Sequence, residues 1–194
     1  MPALDAESVL AATEDVLRRH GPAKASVVDV ARALGVSHAA VYRYFPSKAA
    51  LREAVARRWL TRGQQRLRAV ATDPALDPAQ RLRGWLAALF ADKRARAVDD
   101  PELFATFGLL VAEHRGVAAE HVADLVEQLR GLVADGIAAG AFAAGDPAAL
   151  ARAVFDATTA FHHPAHAGEW GVPGTEAALH AVCDVLIGGL RAGV

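Results

Sequence analysis

Apolar residues recur along the chain at three- and four-residue steps, and β-branched runs with period two are absent, so the pattern predicts helices throughout. Residues 6 to 19 place Val9, Ala12, Val16 and Leu17 on one face, and Gly21-Pro22 stops that helix. Ser26 is placed to cap a short helix through Leu34, where Asp29 at the third position suits the N-terminal dipole. Gly35 supplies the left-handed residue that ends it. Ser37 caps a second short helix that must stop near Phe45-Pro46, because proline lacks an N–H and clashes with the preceding turn. Ser47 starts a longer helix expected to run to about Ala71, burying Leu51, Val55, Trp59 and Leu60. Beyond the break at residues 73–78, helices are expected near 79–97, 101–114, 117–139, 147–161 and 175–191. Pro101 and Pro147 each follow an Asp, so the carboxylate can cap while proline takes the first helical position. The fold class is all-α.

Two short helices joined by a tight Gly-containing turn make a helix-turn-helix. Ala31, four residues before Gly35, lets the two helices cross closely, and Leu34, Val36 and Val41 seal the corner. His38, Ala39, Ala40, Tyr42, Arg43 and Tyr44 are left to face outward or toward the helix ends. Those residue types suit duplex DNA. Ala39 and Ala40 let the backbone approach a groove floor and offer methyl groups to thymine, while Arg43 can fork onto guanine or phosphate. His38 can meet a base edge or a phosphate. The tyrosine hydroxyls and Lys48 suit phosphate oxygens, Lys48 sitting near a helix start whose free N–H groups favour the same anion. Ser26 and Ser37 complete the candidate DNA contacts.

Charge strengthens this reading. The formal net charge of −1 over 194 residues conceals a split: residues 1–70 hold 12 Lys/Arg against 6 Asp/Glu, and the rest hold 9 against 16. A basic half points to an anionic partner. Apolar residues make up 53 % of the chain, enough to bury a substantial core. Cys183 is the single cysteine, which rules out an internal disulfide and suits a reducing compartment. The first residues are acidic and lack the apolar run of a secretory signal, and no stretch approaches the roughly 20 apolar residues of a membrane span. A cytoplasmic protein is expected. There is no phosphate-binding Gly loop, no G-x-S-x-G and no HExxH, and the carboxylates stand at helix ends where capping explains them, so neither an enzyme nor a cofactor is expected.

Residues 26–52, SVVDVARALGVSHAAVYRYFPSKAALR, resemble the DNA-binding segment of the TetR family of bacterial transcriptional regulators. The resemblance is close over about the first 65 residues and general beyond, in length, helical content and order of segments. It implies an Ω-shaped homodimer with nine helices per chain. An N-terminal three-helix DNA-binding domain, residues 1–50, would precede a helical regulatory and dimerisation domain, residues 51–194, through a connecting helix at about 47–71. Residues 38–44 would be the recognition helix, Tyr42 and Tyr44 would contact phosphates, and Lys48 would anchor the fourth helix to the backbone. The resemblance also implies a palindromic operator in double-stranded DNA, a repressor's role, and release by a small-molecule effector.

In the C-terminal part, helical stripes of Leu150, Val154 and Phe161, and of Leu179, Val182, Cys183, Leu186, Ile187 and Leu190, suit packing between helices. The family resemblance makes them a four-helix subunit interface. An effector pocket, which the resemblance likewise implies, would draw on Trp85, Leu89, Phe104, Phe107 and Phe155, with His114, Thr158, Thr159 or His162 as polar groups. His162, His163 and His166 are metal-ligand types. No Cys pair and no helical His-x-x-x-His accompanies them, and a loop packed over the pocket or interface is the expectation. The alternatives are a helical module binding a protein through residues 38–48, and a metal-responsive regulator using the His162/His163/His166 loop. Cys183 reads as a small buried hydrophobe.

Overall fold

Capping side chains set where the helices begin. In the computed structural model, which describes residues 4–193, ten α-helices and two 3-10 turns form, and no strand occurs among the described residues. α1 (Ala6–Lys24) starts at Asp5, whose carboxylate accepts the Ser8 N–H at 2.7 Å while Ser8 Oγ accepts the Asp5 N–H at 3.1 Å. It kinks at Gly21, the expected stop, where φ is 71°. Ser26, Ser37 and Ser47 cap α2 (Val27–Leu34), α3 (His38–Tyr42) and α4 (Lys48–Thr61), accepting the N–H of Asp29, Ala40 and Ala50. Each cap satisfies an amide that the first helical turn leaves without a partner, a contribution of about 1 kcal/mol.

α4 ends at Thr61 instead of continuing to Ala71. Gly63 adopts φ +92°, a conformation open to glycine, and Asp92 Oδ1 lies 2.9 Å from where its Cβ would stand. A separate α5 (Gln64–Ala71) follows, so the connecting helix expected over 47–71 is two helices. α6 (Pro78–Asp99), α7 (Pro101–Glu113) and α8 (Arg115–Ala138) lie close to their expected spans. α7 is capped by Asp100, which accepts the Leu103 N–H at 3.1 Å. α9 (Pro147–Ala157), capped by Asp146, stops short of residue 161. There the buried Thr158 hydroxyl donates to the carbonyls of Val154 and Phe155, and the chain passes into 3-10 turns at Thr159–Phe161 and Pro164–Glu169. α10 (Thr175–Ala192) is the last helix.

These helices form two compact units. One comprises the residues up to Arg62 together with Asp100–His121, and so takes in α1–α4, α7 and the start of α8. Val9, Val16, Leu17, Val30, Val41, Leu51 and Val55 fill its core with Leu103, Phe107 and Leu110 of α7. Trp59 stacks on Phe107, centroids 4.2 Å apart and planes 9° from parallel. The functional division expected at residue 50 therefore cuts through a packed unit. The other unit comprises Gly63–Asp99 and the residues from Val122 onward. Leu82, Trp85, Leu89 and Phe90 of α6 are buried there, as are Leu125, Leu129 and Leu132 of α8 and Leu179, Cys183, Ile187 and Leu190 of α10.

Gly136 near the end of α8 is covered by the Phe142 ring, whose Cδ2 lies 2.1 Å from a Cβ built there, whereas a Cβ at Gly108 on α7 meets nothing within 4 Å. Gly136→Ala is expected to destabilise by about 1–3 kcal/mol through overpacking. Gly108→Ala is expected to stabilise by about 0.5–1 kcal/mol through helix propensity. Urea unfolding followed by circular dichroism checks both signs.

Candidate nucleic-acid interface

The helix-turn-helix closes through its backbone. Gly35 is left-handed at φ 67°, the Val36 N–H donates to Ala31 O at 3.0 Å, and the Gly35 N–H reaches Arg32 O at 3.2 Å. Ala31, Val30 and Val41 are buried beneath the turn, and Leu34 and Val36 are half-buried. The helical part of the recognition segment is His38–Tyr42. Residues 43–44 continue as a turn in which the Tyr44 and Phe45 N–H groups donate to Val41 O, shorter than the helix expected through 44.

Ser37, His38, Ala39, Tyr42, Arg43, Tyr44 and Lys48 are all exposed, with Ala40 half-buried. The segment thus leaves nearly every expected DNA contact exposed. Among the described residues Arg43 and Lys48 have no ion-pair partner. The arginines behind them are committed: Arg32 to Asp29 at 3.0 Å, Arg52 to Glu113 at 2.6 Å, Arg57 to Glu53 and Glu120, and Arg58 to Glu7 and the buried Glu14. Tyr42 sets its ring edge-on to His38 at 6.4 Å. Two expected contacts have internal duties. The Tyr44 hydroxyl donates to Leu4 O, and Ser26 Oγ donates to Asp29 Oδ2 at 2.5 Å while accepting the Asp29 N–H. The Ser26 hydroxyl, helped by the Arg32 guanidinium, holds the Asp29 carboxyl below its ordinary value.

Arg52 was not singled out from the sequence. Its guanidinium donates to Pro22 O at 2.7 Å and to Glu113, tying α4 both to the kinked end of α1 and to the end of α7. No local pattern signals it, because Glu113 stands far away in the sequence.

The residues expected to line an effector pocket divide between the units. Phe104, Phe107 and His114 belong to the first, where Phe107 spends its ring face on Trp59. Trp85, Leu89, Phe155, Thr158, Thr159 and His162 belong to the second. There the Trp85 Nε1–H donates to Gln128 Oε1 at 3.1 Å, a partner the sequence reading missed although Gln128 interrupts the apolar stripe of α8. Thr158 and Thr159 donate to carbonyls of their own helix turn. Of the expected interface residues, Val154, Phe161, Leu179, Cys183, Ile187 and Leu190 are buried within the single chain, and Leu150, Val182 and Leu186 are half-buried. The stripe read as an intersubunit face is mostly this chain's own core. Burial pushes the Cys183 thiol up from its ordinary value.

The histidines of the 3-10 region do not converge. His162 is buried and donates from Nε2 to Phe155 O at 3.0 Å, His163 and His166 meet edge-on at 6.5 Å, and no group of three potential metal ligands occurs among the described residues. No helix among them is long and apolar enough to cross a membrane.

A short capped helix-turn-helix, exposed along its second helix and backed by a helical unit, defines a DNA-binding regulator. Residues 9–55 match the family described as bacterial regulatory proteins, tetR family, and residues 78–183, more than half of the chain, match the tetracyclin repressor-like C-terminal domain. The chain belongs to the TetR family of transcriptional regulators. No curated protein sequence matches it. Among solved structures, a protein of Pseudomonas aeruginosa PAO1 assigned as a transcriptional regulator is 21% identical with a TM-score of 0.72, covering 98% of this chain and 93% of its own. SmeT, the repressor of the Stenotrophomonas maltophilia multidrug efflux pump SmeDEF, is 19% identical with a TM-score of 0.68, covering 96% and 90%. FadR of Bacillus subtilis, solved with stearoyl-CoA, is 17% identical with a TM-score of 0.63, covering 98% and 100%. At these identities the likeness is one of fold.

Burial, reinforced by the charges of Lys93 and His163, lowers the His162 pKa below its ordinary 6.5. A base whose folded pKa is depressed stabilises the protein above the unfolded value, and that contribution is lost as pH falls from about 6.5 toward the folded value. The melting temperature is expected to drop between pH 7.5 and 5.5, and by less in His162→Gln. Differential scanning fluorimetry at the two pH values checks it.

Proposed function

We propose that the protein is a homodimeric repressor that reads a palindromic operator and is released from it by a small-molecule effector. The observation carrying this reading is the outward surface of Arg43, Lys48 and Tyr42 on a helix-turn-helix whose neighbouring arginines are neutralised. Residues 38–43 enter the major groove, Arg43 reads a base or phosphate, and Ala39 lies close to the groove floor. Lys48, at the first position of α4, grips a phosphate together with the helix N-terminus. His38 and Ala40 flank the groove floor, and Tyr42 is the tyrosine whose hydroxyl is available to the backbone. Ser37 can offer its oxygen alongside its capping role. Contacts by Ser26 and Tyr44 would trade against their internal hydrogen bonds.

The dimer face is the outer side of α10, where Val185 is 75% exposed among Ala178, Ala181 and Gly188, all exposed, with Val182 and Leu186 half-buried beside them. Small residues on that face permit close helix approach. The effector binds in the C-terminal unit. Among proteins of this fold, FadR of Bacillus subtilis is solved with stearoyl-CoA and RolR with resorcinol. A typical coupling between effector and operator is about 1–3 kcal/mol.

Selection of DNA fragments by the purified protein is expected to return a palindrome with half-sites one helical turn or a multiple apart. A protein-interaction module would return no enriched sequence. On that operator, Arg43→Ala is expected to cost about 1–3 kcal/mol and relax preference at one position, whereas Lys48→Ala weakens all sites and lowers the salt slope by about 1. Anisotropy titrations at several salt concentrations separate the two. Val185→Asp is expected to give monomers by light scattering, while the far-ultraviolet spectrum stays unchanged.

A further inference from the structure

Two helix faces and a kink line an open groove on the unit that carries the helix-turn-helix. Lys48 and Arg52 stand one turn apart on α4, and Leu109, Ala112 and Glu113 share a face of α7 at three- and four-residue spacing. With Pro22 at the kinked end of α1 they bound a volume of about 650 Å3, within the range of small-molecule sites. Every one of these residues belongs to the same compact unit.

The groove carries one cation in excess. Arg52 is held by Pro22 O at 2.7 Å and by Glu113 at 2.6 Å, so its charge and that of Glu113 cancel. Lys48 is exposed and has no carboxylate partner among the described residues. The rest of the lining is largely apolar: Leu109 is 61% exposed, Ala112 is exposed and Pro22 is half-buried. A DNA backbone accounts for Lys48 but leaves these three unexplained, since phosphate and sugar are contacted through polar groups.

We propose that this groove binds a small apolar molecule bearing one carboxylate, whose anion takes the Lys48 ammonium and whose body covers Leu109, Ala112 and Pro22. The proposal rests on the reading of Lys48 as a phosphate contact, and adds that occupant and operator exclude each other at that ammonium. A single negative charge matches the single uncancelled cation, whereas a dianion would meet the Glu113 carboxylate in the same groove. The effector proposed above binds in the other unit, so the two sites are separate.

The test titrates 2-naphthoate and its neutral isostere 2-naphthamide into the full chain at low salt, followed by proton–nitrogen NMR. Naphthoate is expected to bind about fivefold more tightly than the amide and to shift the backbone signals of Lys48, Leu109 and Ala112. Lys48→Met keeps the stem without the charge and should bring the two probes to equal affinity. Leu109→Ser should weaken both probes about threefold while operator affinity without probe stays unchanged. In competition, naphthoate should raise the apparent operator Kd linearly with its concentration, with a slope about threefold lower in Leu109→Ser. No binding of naphthoate, equal affinity for the two probes, a preference surviving in Lys48→Met, shifts confined to residues from Val122 onward, or an operator Kd indifferent to saturating naphthoate would overturn the proposal. Naphthoate bound at the groove by protein that selects no operator would overturn the regulator reading and leave the anion site standing.

Discussion

Trp59 and Phe107 lie flat against each other at 4.2 Å, and through that stack α7 becomes part of the unit carrying the helix-turn-helix. Both rings are buried, and each brings about 1.5–3 kcal/mol of apolar burial. A stacked pair adds roughly 0.5–1.5 kcal/mol beyond the area. The ion pairs around it, Arg52 with Glu113 and Arg57 with Glu120, involve carboxylates more than half exposed. Such pairs typically contribute no more than about 1 kcal/mol each. Packing therefore holds α7 against α4, with the Arg52–Glu113 pair at its C-terminal end and the Arg57–Glu120 pair reaching α8.

The arginines of α2 and α4 divide by fate. Arg32, Arg52, Arg57 and Arg58 each face a carboxylate, and Glu14, nearly buried, receives Arg58 and Arg62. Arg43 and Lys48 are exposed and have no carboxylate partner among the described residues. The N-terminal charge excess seen in the sequence is thus less evenly spread than it looked. Much of it is cancelled within the unit, and what remains uncancelled includes the exposed Arg43 and Lys48.

Local chemistry was legible. Ser26, Ser37, Ser47, Asp100 and Asp146 announce helix starts because a short acceptor before an apolar run has few other uses, and Gly35 announces the turn. The exposure of the segment after Ser37 was legible too, since small and polar residues on a five-residue helix have nowhere to hide. What the sequence concealed depends on distance along the chain. Gly63 reads as a tolerable helical glycine until Asp92 is seen occupying the space of its side chain. Phe107 reads equally as pocket or core, and only Trp59 decides it. Leu179, Cys183, Ile187 and Leu190 form a stripe that one chain or two could bury, because periodicity reports that a face is covered and not by whom. Arg52 and Gln128 owe their roles to partners tens of residues away.

The main chain crosses between the two units three times, and the crossings differ in backbone conformation. At Arg62 and Gly63 it passes through a left-handed glycine, and at Asp99 and Asp100 through a cap followed by proline. At His121 and Val122 it runs inside the unbroken α8. α8 therefore belongs to both units, Arg115–His121 to one and Val122–Ala138 to the other, so a single ladder of backbone hydrogen bonds serves two cores.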